Sequence, residues 1–94
     1  MPAVGLLSIE FHFPEARSLK DKRMVLRGVK DQLRKLNVAL AEIEHQNLWQ
    51  RARLGVVAIA TTRDSVARSL ETVVDKIERQ YPGTVIRTEL EWLM

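Results

Sequence analysis

LGVVAIATTRDSVARSLETVVDKIERQYPG, residues 54–83, is the stretch that decides the fold. Leu54 to Thr61 reads as a strand with two apolar faces, the mark of a central position in a sheet. Thr62 or Asp64 can cap the helix that follows. Val66, Leu70, Val73, Val74, Ile77 and Tyr81 recur at helical spacing and form its buried stripe. Pro82-Gly83 stops it. Thr84 to Leu93 then alternates as a last strand, with Ile86, Thr88, Leu90 and Trp92 on one face and Val85, Arg87, Glu89 and Glu91 on the other.

Reading back toward the N-terminus gives a second unit of the same kind. Residues 3–13 alternate with period 2: Gly5, Leu7, Ile9, Phe11 and Phe13 point one way, Val4, Leu6, Ser8, Glu10 and His12 the other. Pro14 ends this strand. Ser18 and Asp21 have the spacing of a capping box at the start of a helix. Leu19, Leu26, Val29, Leu33 and Leu36 follow on an arc of about 120°, with Asn37 as the expected C-cap. Gly28 is a mild weakness inside it. Residues 38–44 form a second strand, and residues 45–53 a long hairpin connection to Leu54. Two right-handed β-α-β units place both helices on one sheet face. The expected fold is α+β, one domain over residues 1–94. It is a ferredoxin-like β-α-β-β-α-β two-layer sandwich with antiparallel sheet order 4-1-3-2. The open sheet face is expected to carry Val4, Leu6, Ser8, Glu10 and His12, joined by Val38, Leu40, Glu42 and Glu44 and by Arg87, Glu89 and Glu91.

Composition removes several function classes. There is no cysteine, hence no disulfide, thiolate zinc site or cysteine nucleophile, which suits a reducing cytoplasm. The N-terminus has no basic leader, and no stretch nears the roughly 20 apolar residues of a membrane span. No glycine-rich phosphate loop, helical His-x-x-x-His or nucleophile elbow is present, so the chain is expected to be no enzyme and to need no cofactor or metal. Ser8, Glu10 and His12, with Glu42 or Glu44, could suggest a metal site, but i, i+2 side chains on a strand lie about 7 Å apart.

Several segments together resemble a known family. SLKDKR (18–23) opens the first helix, Asn37-Val38 and Ala41-Glu42 mark the second strand, and LWQRA (48–52) leads into Leu54-Gly55-Val56. In this the chain resembles the bacterial YlxP-like family of small proteins of unknown function. The resemblance spans nearly the whole chain and implies a ferredoxin-like fold. It also implies a link to translation, because members are often encoded near translation and ribosome-maturation genes. It supplies no catalytic residues.

The functional signal is electrostatic. Between Arg17 and Lys35 stand eight Lys/Arg and only Asp21 and Asp31 as acids, in a chain of net charge +3. Lys20, Arg23, Arg27, Lys30 and Arg34 fall within about 80° of one another on a helical wheel. They make a stripe roughly 21 Å long. Such a stripe either binds a polyanion or is a solvated face whose cations pair with acids of the second helix. Trp49 in the hairpin connection, with Arg51 and Arg53, could extend the site by stacking on a base, anchor a protein interface, or fold back on the hairpin. The open sheet face lacks the aromatics of an RNA-recognition motif and carries carboxylates, which argues against RNA there. The expected function is a non-catalytic binding protein whose partner is RNA or the ribosome. The alternative is a homodimeric interaction or ligand-sensing module, paired through Val4, Leu6, Val38 and Leu40.

Overall fold

The computed structural model describes all 94 residues. It contains β1 (Ala3–His12), α1 (Leu19–Leu33), β2 (Ala39–Glu44), β3 (Arg51–Ala60), α2 (Arg63–Gln80) and β4 (Val85–Trp92). The sheet is antiparallel in the order β2-β3-β1-β4, the predicted ladder counted from its other edge. Register pairs Ile9 with Leu54 on one side of β1 and with Thr88 on the other. The inward faces of β1 and β3 close against Leu26, Val29 and Leu33 of α1 and Val66, Leu70, Val73 and Ile77 of α2. Both helices therefore cover one face, and the ferredoxin-like sandwich is as expected.

The helix starts are set by local hydrogen bonds. The Ser18 hydroxyl accepts from the Asp21 N–H at 3.0 Å, and the Thr62 hydroxyl from the Ser65 N–H at 3.1 Å, so Thr62 rather than Asp64 is the cap of α2. The Asp21 carboxylate accepts from the Arg17 N–H instead of closing the box on Ser18. α1 ends earlier than Asn37. Its C-cap is Arg34, whose backbone N–H donates to Lys30.

Three strand details depart from the reading above. First, β3 begins at Arg51, so Arg51 and Arg53 are strand residues and the connection from β2 is a short turn. Second, β2 takes the opposite face assignment: Leu40 lies beside Val56 and Glu42 beside Leu54, both inward residues. Val38 and Leu40 thus pack against the core from the helix side. The larger aliphatic pair goes inward and the small Ala39 and Ala41 go outward. A register shift at Ile43 returns Glu44 to the open face beside Arg53. Third, a shift opposite Glu10 and Phe11 pairs Phe11 with Val85, which turns Val85 inward and leaves Ile86 exposed, the reverse of the expected facing.

Candidate nucleic-acid interface

α1 is amphipathic with its apolar residues at 26, 29 and 33 and its cations beside them. Lys20, Arg23, Arg27 and Arg34 are exposed and Lys30 is half-buried. Lys20, Arg23, Arg27 and Lys30 have no carboxylate within ion-pair distance. Only Arg34 has one, and it is Asp31 of the same helix at 2.9 Å. None of these cations pairs with an acid of α2. Arg23, Arg27, Lys30 and Arg34 line a shallow groove of about 330 Å³ on the flank of α1 that faces β2, together with Leu26 and the carboxylates Asp31 and Glu42.

Lys22 belongs to a different category from its neighbours. It is 1% exposed. Its Nζ donates to the carbonyls of His45 (2.7 Å), Arg51 (3.2 Å) and Gln46 (3.4 Å), and stands 3.3 Å from the Glu42 carboxylate. A buried ammonium needs such compensation, and four oxygens supply it. Because those oxygens come from the end of β2, the turn and the start of β3, Lys22 holds the turn against the first turn of α1. Gln50 adds a second tie, donating from Nε2 to the carbonyls of Pro14 and Ala16, both at 3.1 Å. The backbone at the turn includes His45 at φ 68°, a left-handed conformation in a residue that tolerates it better than most. Held this way, Leu48 and Trp49 project outward, 48% and 54% exposed. Trp49 does not fold back on the hairpin. The ties made by Lys22 and Gln50 hold the turn that carries it beside the segment leading into α1.

Arg51 and Arg53 do not join that surface. The strand register sends both to the open sheet face, level with His12 and Glu10. Arg53 lies 3.3 Å from Glu44, 3.8 Å from Glu89 and 4.0 Å from Glu10, and Arg51 lies 4.0 Å from Glu10. Arg87 pairs with Glu89 at 2.8 Å. Of the carboxylates expected to make this face acidic, Glu10, Glu44 and Glu89 are matched by guanidiniums, and Glu91 beside Leu6 is not. Glu42, expected among them, is on the helix side with Lys22. His12 and Ser8 form no metal-ligand group. Glu10, Glu44 and His45 do bring their ligand atoms within 4.8 Å of one another. Arg53 already supplies the positive charge there, and His45 Nε2 stands 2.8 Å from Glu10.

Sequence reasoning missed Lys22 and Gln50. For Lys22 the signal was present: 22, 26, 29 and 33 are spaced i, i+4, i+7 and i+11, which is the buried stripe itself. Gln50 carries no such mark. No helix is long and apolar enough to cross a membrane.

A family model described as a protein of unknown function (DUF503) matches residues 4–90. The chain is 33% identical over 89 residues to the uncharacterized protein YlxP of Bacillus subtilis (strain 168), an alignment that covers 92% of this chain and 97% of that one. Among solved structures, the de novo designed protein Foldit4 superposes with a TM-score of 0.59 at 9% identity, over 100% of this chain and 98% of the design. That likeness concerns the fold alone, and a designed sequence reaching the same architecture illustrates that the architecture does not specify a function.

Proposed function

The chain belongs to the DUF503 family of proteins of unknown function, and from that premise we propose that it is a non-catalytic protein that binds RNA, free or in the ribosome, along α1. The observation that carries this reading is the row of four cations, Lys20, Arg23, Arg27 and Lys30, with no carboxylate partner. Cations left unpaired in line repel one another, a cost that a phosphate backbone relieves while its counterions are released. Trp49 supports a refinement. One exposed aromatic on the turn tied to the start of α1 offers an unpaired base a stacking surface, which suits a single-stranded segment better than a continuous duplex. The open sheet face gives no competing site, because its guanidiniums are engaged by carboxylates.

The test is anisotropy of a labelled RNA oligonucleotide, and co-sedimentation with ribosomal subunits, each at low and high salt. Four phosphate contacts to a single strand predict a loss of about 50-fold in affinity between 50 and 200 mM salt. Arg23→Glu, Arg27→Glu and Lys30→Glu together should abolish binding and leave the far-ultraviolet dichroism unchanged. A folded triple variant that binds with wild-type affinity and salt dependence refutes the proposal.

A further inference from the structure

The open face of the sheet has two unlike halves. Toward one end lie Glu10, Glu44 and Glu89 with Arg51, Arg53 and Arg87, three carboxylates and three guanidiniums linked by the ion pairs given above. Toward the other end the register sets Val4 beside Ile59, Leu6 between Val57 and Glu91 of the edge strand β4, and Ala39 on the far side of Val57. Ile43, the extra residue of β2, folds over the same half. A Cβ at Gly55 would meet Ile43 at 3.3 Å and Leu6 at 3.4 Å, so the glycine leaves the space that Ile43 occupies. Ile59 is 61% exposed and Ile43 42% exposed. Two β-branched aliphatic side chains this exposed, continuous with Val57 on the same strand as Ile59 and with Val4, Leu6 and Ala39 on β1 and β2, form a patch of the kind that marks an interaction surface.

We infer that this face is covered by the same face of a second copy of the chain, in a twofold pair centred on Ile59, Ile43, Val57 and Leu6. Charge selects the occupant. A nucleic acid meets carboxylates and aliphatic side chains here, and no unengaged cation row. The helix layer of another copy would bring its basic stripe onto an apolar patch. A like face brings apolar onto apolar, its ion-paired half is neutral within itself, and its one unpaired carboxylate, Glu91, lies on the edge strand β4 at the rim of the contact, where water still reaches it. Size is consistent. Four strands about 4.8 Å apart and up to ten residues long present a face of roughly 19 by 33 Å, or about 600 Å² in projection per copy. The pair then buries on the order of 1,200 Å², the lower end of specific interfaces, so the dimer is concentration-dependent rather than permanent. Val38 and Leu40, on the helix side, take no part. This inference is independent of RNA binding, which uses the opposite face.

Sedimentation equilibrium of the full chain without nucleic acid, across the micromolar range, tests it. The mass should rise from 10.8 kDa toward twice that value with concentration. Ile59→Glu and Ile43→Glu, examined separately, should each raise the dissociation constant about tenfold or more, since a twofold brings each introduced charge near its own copy. Ile59→Thr, which keeps a β-branched residue on the strand, should weaken association without touching the fold. Arg27→Glu should associate as wild type. A mass of one chain at every concentration overturns the inference. So does wild-type association of the folded Ile59 and Ile43 variants, or dissociation caused by Arg27→Glu alone.

Discussion

Replacing Lys22 by methionine removes the ammonium and keeps most of the stem that packs beside Leu26. Four oxygens then lose their partner. Hydrogen bonds to a charged group contribute about 1.5–3 kcal/mol each, and removing one member of a buried ion pair costs about 3–5 kcal/mol. These overlap and do not add. Glu42 keeps 19% of its side chain exposed and can take up water, which lowers the cost, as does the apolar character of methionine. The expected loss is about 3 kcal/mol. In a domain of this size 1 kcal/mol moves the melting temperature by roughly 4–8 °C, so Lys22→Met should melt roughly 12–24 °C below wild type. Urea titration followed by dichroism reads the free energy, and a cycle with Glu42→Gln isolates the pair. The double variant should be less destabilised than the two singles summed, with a coupling of about 1–2 kcal/mol. A Lys22→Met protein that melts within a few degrees of wild type would refute the claim that Lys22 fastens the β2–β3 turn to α1.

The same urea assay should separate the two sides of α1: Leu26→Ala costs about 2–5 kcal/mol, whereas Arg27→Ala stays within about 0.5 kcal/mol of wild type. Gly28→Ala gains helix propensity of about 1 kcal/mol, but its Cβ meets the Tyr81 hydroxyl, so the net effect should be a loss of about 1 kcal/mol that Tyr81→Phe reverses. In RNA binding, Trp49→Ala should weaken an unpaired oligonucleotide by about 1–3 kcal/mol and leave a duplex unaffected, and equal losses for both would remove the stacking role.

How far the sequence discloses this molecule differs from element to element. The order of strands and helices is readable because β1 alternates strictly over ten residues and because Ser18 and Thr62 stand where a cap must be. The faces of β2 are not, because Ala39-Leu40-Ala41-Glu42-Ile43-Glu44 offers aliphatic residues at both parities and the shift at Ile43 exchanges them midway. A bulge is a property of the pairing of two strands, and neither strand announces it alone. Lys22 shows the opposite failure. Its spacing with Leu26, Val29 and Leu33 marks it as inward, and only the general expectation that lysine stays in water hides it. Arg51 and Arg53 alternate with Ala52 and Leu54 as a strand requires, yet the polar turn before them masks the start of β3. The basic stripe itself follows from the helical wheel. Its lack of partners does not, since that depends on where the acids of α2 come to lie.

The register shifts in β2 and β4 have one more effect. These two strands are the margins of the sheet, and a margin with a straight row of free N–H and C=O groups invites further strands to add on without limit. β2 is six residues long, is interrupted at Ile43 and carries Glu42 and Glu44. β4 is interrupted near Val85 and carries Arg87, Glu89 and Glu91. Each interruption bends the ladder, and each charge resists being laid beside its own image in a repeating stack. The chain can therefore display Ile43 and Ile59 on an open β surface while its margins hinder fibrillar growth.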